Sequence, residues 1–137
     1  MPLLILINEL LQCSKSLALL QAAECGQEVE SYILLKVGAN IQVIDNFSQT
    51  LLSLAASNGH KVVVKLLLTR DNINPNFKNK FRATLLLLAT KYGSKAVIKL
   101  LLTRNNINLD PKCTLKNTPL LQAATNGYKG VVKLLLV

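Results

Sequence analysis

The chain has 137 residues, of which 50% are hydrophobic, 4% aromatic and 17% charged. This length suits a single domain, and the apolar fraction is too high for an intrinsically disordered chain. Lys and Arg total 16 against 7 for Asp and Glu, which gives a formal net charge of +9. Because Trp is absent and Leu, Val, Ala and Ile dominate the apolar content, the core is predicted to be aliphatic.

The charge is unevenly distributed along the chain. Residues 1–45 carry two bases against five acids, a net charge of −3, whereas residues 46–137 carry 14 bases against two acids, a net charge of +12. Such a surplus suggests an anionic partner, such as nucleic acid or a membrane surface. The alternative is a repeated sequence that repeats its lysines on a solvated face.

The first predicted element lies within residues 1–16. Leu3 to Leu11 are expected to form a capping helix that closes the N-terminal end of the fold. The run has no basic segment at its start, and Asn8 and Glu9 interrupt it, so it is interpreted as structure rather than as a signal peptide. Because no uninterrupted apolar run reaches the ~18 residues of a membrane span, no transmembrane segment is expected.

The cysteines and the histidine form no reactive or metal-binding pattern. Cys13, Cys25 and Cys113 are an odd number without a C-x-x-C pair, which favours a reducing, cytoplasmic location over a disulfide framework. His60, the only histidine, follows Gly59 and is interpreted as structural. Metal and nucleophile sites need several partners at set spacings. No catalytic residue, metal site or cofactor is therefore predicted, and the chain is not expected to be an enzyme.

The chain repeats itself with a period of 34 residues. The segments that begin at Thr50 and Thr84 share 18 of 34 positions, and Thr118 begins a third copy, T-P-L-L-Q-A-A-T-N-G-Y-K-G-V-V-K-L-L-L. A more divergent copy, L-A-L-L-Q-A-A-E-C-G, begins at Leu17. A period in this range is typical of a solenoid. The predicted units are residues 17–49, 50–83, 84–117 and 118–137, the last one incomplete.

Each unit is predicted to contain two short helices. In the second unit the first helix runs from Thr50 to about Asn58 and ends at Gly59, since helices often close on a glycine at positive φ. The second helix, from Lys61 to about Thr69, has apolar residues at i, i+3 and i+4 spacing. Helices of this length are stable only when they pack against neighbours. The predicted fold class is therefore an all-α repeat solenoid of stacked helix-turn-helix units with short hairpin or loop linkers.

The third copy resembles the ankyrin repeat, whose signature is T-P-L-H-x-A, then G-H, then a V-V-x-x-L-L helix. Gly38-Ala39-Asn40-Ile41 is similar to the G-A-D-V opening of the family's hairpin. The resemblance covers about 120 of the 137 residues, and the Asn- and Lys-rich linkers look most like those of ankyrin arrays in filamentous fungi. The hairpin tips depart from the family's Asp-Gly, because Phe47-Ser48 and Phe81-Arg82 stand there.

The resemblance implies a non-catalytic protein–protein interaction module, forming part of a larger array. In the family, a partner binds the concave face made by the hairpin tips and the first helices. Aromatic and Arg side chains are the usual interface anchors, so the implied partner is a protein segment with acidic and apolar residues. Carried over by position, the partner-binding residues are Asn46, Phe47, Gln49, Ser57, Asn58, Lys80, Phe81, Arg82, Lys91, Tyr92, Lys116, Asn117, Thr125 and Asn126. The alternative is that Phe47 or Phe81 folds inward and covers its hairpin.

Two columns of lysines on the convex side offer a second interpretation. Stacked units bring equivalent residues onto neighbouring helices, in two sets: Lys61, Lys95 and Lys129, and Lys65, Lys99 and Lys133. These columns could bind nucleic acid or an anionic membrane, although the columns lack the aromatic residues that nucleic-acid binders usually add. The chain stops at Val137, within the second helix of its last unit, so further repeats or self-association are expected at this uncapped end.

Overall fold

A computed structural model describes residues 2–79, 82–108 and 118–136 of the chain. Within these ranges the chain forms α-helices and a single isolated β-bridge. The helices are α1 (Pro2–Cys25), α2 (Glu28–Lys36), α3 (Leu51–Ser57), α4 (Lys61–Leu68), α5 (Leu85–Lys91), α6 (Lys95–Leu102), α7 (Pro119–Thr125) and α8 (Lys129–Leu136).

The helices form two parallel rows. The first helices of the units, α1, α3, α5 and α7, pack side by side in one row, and the second helices, α2, α4, α6 and α8, pack in the other. Each first helix also contacts the second helix of its own unit. The predicted all-α repeat solenoid is confirmed, and the predicted helices in residues 50–69 agree with α3 and α4 to within a residue at each end.

A glycine closes the first helix of every unit, as the sequence predicts. Gly59 has φ +75° and Gly93 has φ +68°, a conformation that costs little without a Cβ. In the second unit, the Gly59 amide donates to Ala56 O over 3.1 Å and the His60 amide donates to Ala55 O over 2.8 Å. These bonds satisfy the last carbonyls of α3 and reverse the chain before α4 begins.

The core lies between the two rows of helices. Ala55 and Ala56 of α3 are fully buried, and their small side chains let neighbouring first helices approach closely. In α4 the side chains of Val63, Val64 and Leu67 are buried against the first row. Burying one such aliphatic side chain contributes about 1.5–3 kcal/mol to folding. The predicted aliphatic core is confirmed.

Threonine hydroxyls cap the first helices. The Oγ1 atoms of Thr50, Thr84 and Thr118 accept hydrogen bonds from the backbone amide three residues later, over 3.1, 3.4 and 3.2 Å. In α3, Ser53 Oγ also accepts from the Thr50 amide over 2.8 Å, which completes a capping box. Ser53 occupies the position of the ankyrin signature's histidine, and here it caps its own helix.

The tip of the first hairpin is a tight turn in residues 44–50. Ile44 and Thr50 form an antiparallel bridge, the Asp45 amide donates to Gln49 O over 3.0 Å, and the Ser48 amide donates to Asp45 O over 3.1 Å. Ser48 has φ +60°. A residue with a side chain therefore adopts the left-handed conformation where the family has glycine.

The second hairpin repeats this geometry. The Asn79 amide donates to Ala83 O over 3.1 Å, and the Arg82 amide donates to Asn79 O over 2.8 Å. Arg82, the counterpart of Ser48, has φ +62°. The turn is therefore set by the hydrogen bonds at its base, and the glycine of the family pattern is not required.

The N-terminal helix differs from the expected division of this region. The sequence predicts a capping helix within residues 1–16 and a first unit from Leu17, whereas α1 runs without a break from Pro2 to Cys25. No Gly or Pro lies between Leu11 and Leu17, so nothing ends the helix there. Residues 2–14 are all exposed. The boundaries of the repeat units stay a prediction.

Among the described helices, α1 is long and apolar enough to cross a membrane, by length and composition only. The sequence predicts no transmembrane segment because no uninterrupted apolar run reaches the ~18 residues of a membrane span, but the mean hydropathy over a window of 18 residues in α1 still reaches that of a span. The C-terminal part of the same helix packs into the core, since Leu19, Ala22 and Ala23 are buried.

We expect Ser48→Gly to raise the free energy of unfolding by about 0.5–1 kcal/mol, because glycine removes the cost of a side chain at positive φ. Urea unfolding of the variant and of the wild type measures this difference. Asn46→Gly in the same hairpin is the control, and it should lower stability, since Asn46 is not at positive φ. A loss of stability in both variants would contradict the role assigned to Ser48.

Candidate partner-binding surface

Two aromatic side chains stand out on the predicted binding face. Phe47, at the tip of the first hairpin, is 63% exposed, and Tyr92, at the end of α5, is 55% exposed. The amides of Phe47 and Gln49 each donate to Asp45 Oδ1 over 2.8 Å, which fixes the tip. Phe47 therefore points outward, and the alternative in which it covers its hairpin is wrong.

Three predicted residues come together where α5 ends and the turn after α7 begins. The Lys91 ammonium lies 5.3 Å from the centre of the Tyr92 ring, a cation–π distance. Lys91 O accepts hydrogen bonds from Asn126 Nδ2 over 3.3 Å and from the Tyr128 hydroxyl over 3.4 Å. These contacts tie a cation, an aromatic ring and an amide from neighbouring units into one small cluster.

Other predicted residues use their polar groups within their own helices. Ser57 Oγ donates to Ser53 O over 2.7 Å, and Thr125 Oγ1 donates to Leu121 O over 2.8 Å. Asn58 Nδ2 likewise donates to its own helix. The hydroxyl donors of Ser57 and Thr125 are occupied, so these two side chains offer a partner an oxygen acceptor more readily than a hydrogen-bond donor.

The remaining predicted residues divide into two groups. Asn46 and Arg82 are exposed, and Gln49 is half-buried. The others lie outside the described residues: Lys80, Phe81, Lys116 and Asn117. We use the name hairpin–helix face for the described members, Asn46, Phe47, Gln49, Ser57, Asn58, Arg82, Lys91, Tyr92, Thr125 and Asn126.

Two exposed apolar side chains were missed by reasoning from the sequence. Ile44 and Phe77 line one small cavity of about 110 Å³ between the first two linkers, with Thr50 and Leu52 on its inner side. Both are about half exposed. Phe77 occupies the position of Val43 one unit earlier, so a comparison of the linkers for added aromatic residues would have found it.

The six lysines of the two columns are all exposed on α4, α6 and α8. A shallow groove of about 510 Å³ lies between α4 and α6, and Lys65 and Arg104 contribute its positive charge. Arg104 Nη1 also donates to Leu68 O over 3.3 Å. This bond satisfies a carbonyl at the C-terminal end of α4, so Arg104 has a structural role as well.

In two units, the residue that follows the helix-closing glycine makes a contact with the preceding unit. His60 Nε2 lies 2.7 Å from Glu24 O in the preceding unit. The imidazole also fills the space above Gly26, where an added Cβ would clash with His60 Nδ1. Tyr128 takes the same position two units later and reaches Lys91 O. The structural interpretation of His60 fits these contacts.

No group of three or more His, Cys, Asp or Glu side chains that could hold a metal ion occurs within residues 2–79, 82–108 and 118–136. Cys13 and Cys25 are exposed and free, and Cys113 lies outside the described residues.

A family model described as ankyrin repeats (3 copies) matches residues 3–79 and again residues 52–137. The chain belongs to the ankyrin repeat family. Ankyrin repeats generally act as protein–protein interaction modules, are typically non-catalytic and usually occur in soluble proteins. A comparison with curated proteins gives no match.

We expect His60→Ala to lower the free energy of unfolding by about 1 kcal/mol, because it removes a hydrogen bond between units. Ser94→Ala is the matched control at the same repeat position. The Ser94 hydroxyl makes no such bond to another unit within the described residues, so the stability of this variant should stay close to that of the wild type. Thermal unfolding followed by circular dichroism measures both. Equal losses in the two variants would show that the bond to Glu24 O contributes little.

Proposed function

We propose that this ankyrin repeat chain binds a partner protein through its hairpin–helix face, without catalysis. The observation that carries the proposal is the exposure of Phe47 in the first hairpin and of Tyr92 at the end of α5. Aromatic side chains contribute large apolar area at low conformational cost, and they often dominate the binding energy of an interface.

The charge of this face supports an acidic partner. Arg82 and Lys91 are exposed on it. The nearest acid in the first hairpin, Asp45, accepts hydrogen bonds from two backbone amides, so its charge is partly compensated locally. The face is therefore cationic with aromatic anchors. It suits a segment that presents Asp or Glu beside apolar side chains.

The cavity between the linkers supports an aliphatic contact as part of the same interface. Its volume of about 110 Å³ is comparable to that of one aliphatic side chain. Ile44 and Phe77 form its exposed rim. A Leu, Ile or Val of the partner that enters here would bury apolar surface against Ile44, Leu52 and Phe77.

We also propose that the chain acts within a larger ankyrin array. In α5 the side chain of Leu86 is 1% exposed, because the next unit covers it, whereas its counterpart Leu120 in α7 is 38% exposed. The outer side of α7 thus presents the type of surface that binds another unit elsewhere in this chain. A further repeat, or a repeat of another molecule, is the matching occupant.

A cytoplasmic location accompanies this proposal. Cys13 and Cys25 are free and exposed, which fits a reducing compartment.

Selection from a displayed library of random peptides tests the binding proposal. We expect enrichment of sequences that combine acidic and aliphatic residues. The double variant Phe47→Ala, Tyr92→Ala should weaken the binding of the selected peptides at least tenfold, as loss of two interface anchors requires. Fluorescence anisotropy with labelled peptides measures the affinities.

Tyr32→Ala is the matched control for this experiment. Tyr32 is an exposed aromatic residue with a nearby cation, Lys36, whose ammonium lies 5.4 Å from the ring centre, but it lies on α2 in the second row of helices. Its replacement should leave peptide affinity unchanged. Selection of peptides without acidic residues, or equal effects of the two variants, would count against the hairpin–helix face.

The alternative function is an anionic-surface binder that uses the lysine columns. The exposure of all six lysines and the positive groove beside Lys65 favour it. In that case a DNA duplex or vesicles with anionic lipids should bind, and Lys65→Glu with Lys99→Glu should abolish binding. The affinity should also fall log-linearly with salt, because binding releases counterions. Peptide binding at the hairpin–helix face should respond much less to salt.

A further inference from the structure

The exposed side of α1 carries an apolar stripe with a regular spacing. Its members alternate three and four residues apart, and all are exposed except Leu20, which is half-buried. We name this stripe the outer seam, and it consists of Leu3, Leu6, Leu10, Cys13, Leu17 and Leu20. Alternating spacing of three and four is the pattern of a and d positions in a coiled coil.

The outer seam points away from the rest of the molecule except at Leu20, which packs against the core. Nine residues separate Leu10 from the buried Leu19, which is about two and a half helical turns and places them on opposite sides of α1. The side toward the stack is also engaged nearer the N-terminus, where Gln12 Nε2 donates to Gly38 O over 3.0 Å and the Lys15 ammonium donates to Val37 O over 3.2 Å. The polar contacts and the buried residues therefore lie on one side of α1, together with the exposed Leu4 and Ile5 near the N-terminus, and the seam occupies the other side.

We propose that the outer seam binds the α1 helix of a second copy of this chain. A seam of this spacing is complementary to itself, because each a or d side chain inserts between four residues of the facing helix. The two solenoids would lie on opposite sides of the helix pair, since each is attached to the side of α1 that faces away from the seam. The association thus leaves the hairpin–helix face free and goes beyond the proposed function.

The charges beside the outer seam permit this pairing. The flanking e and g positions within residues 7–16 are Ile7, Glu9, Ser14 and Ser16. Glu9 is the one charged residue among them, so the pairing brings no row of like charges together. Like charges at the e and g positions of two helices repel each other. Such repulsion is almost absent here.

A lipid bilayer fits the same helix less well. Residues 2–14 are the exposed part, and they extend for about 20 Å, which is short of the ~30 Å hydrocarbon core of a bilayer. An interfacial membrane helix usually carries Lys and Arg on its polar side. Here Asn8, Glu9 and Gln12 occupy that side, and the net charge of −3 over residues 1–45 opposes binding to anionic headgroups.

Sedimentation equilibrium of the whole chain tests the proposal. The seam is too short to bury the roughly 800 Å² per partner of a standard interface. We therefore expect weak association. At a concentration on the order of 100 µM, the wild type should have the mass of two chains or a higher multiple. Leu10→Glu should reduce the mass to that of one chain. Circular dichroism should show an unchanged fold, because Leu10 is exposed.

Ile5→Glu is the matched control. Ile5 is 58% exposed and Leu10 is 60% exposed, so the two variants place the same charge on equally accessible sites of one helix. Ile5 lies off the seam, and this variant should keep the mass of the wild type. A wild type with the mass of one chain, or equal dissociation of both variants, would overturn the proposal.

Sedimentation with neutral phosphatidylcholine vesicles tests whether lipid, rather than a second copy of the chain, covers α1. Under the proposal, Leu10→Glu and the wild type should both stay in the supernatant when the vesicles are sedimented. If a single wild-type chain sediments with the vesicles and both glutamate variants lose this binding alike, lipid is the occupant of α1 and the proposal of a second copy fails.

Discussion

The stacking of short helices is the constraint on which the rest of this structure depends. From α2 onward, no described helix exceeds nine residues, and isolated helices of that length are unstable in water. Each one persists because neighbouring units bury its apolar stripe. Ala55 and Ala56 in α3, and Val64 in α4, are fully buried for this reason. A unit in the middle of the stack receives cover from two sides, so the two middle units hold most of the buried residues.

This repeated packing also creates the functional surfaces. Because every unit places equivalent residues at equivalent positions, any exposed residue type that repeats becomes a column, as the lysines of α4, α6 and α8 do. Specific recognition needs residues that break the repetition. Tyr92 and Phe77 do so, since Asn58 and Asn126 stand in the place of Tyr92, and Val43 stands in the place of Phe77. The positive charge of the chain is thus mostly a property of the repeat, and a small part of it lies where aromatic side chains are exposed.

Each end of the stack has a neighbouring unit on one side only. The apolar surface left exposed differs between the two ends. At α7 the residues that are buried in α5 become accessible, which leaves a face suited to another repeat. At α1 the inner side is sealed by Leu19 and Ala23, and the helix continues beyond the stack with its outer seam exposed. The same requirement, that apolar surface be covered by a neighbour, therefore points to a partner at either end.

The sequence alone determined the repeat, the fold class, the helix pairs and their ends, because these depend on local signals. Gly59 ends a helix whatever lies nearby. The tertiary structure decided the continuity of α1, the outward position of Phe47, the cavity beside Phe77 and the bond from His60 to Glu24 O. Each of these features depends on which distant residues come into contact and how much surface they leave exposed. Such contacts are fixed by how the units stack, which the spacing of residue types along the chain does not specify.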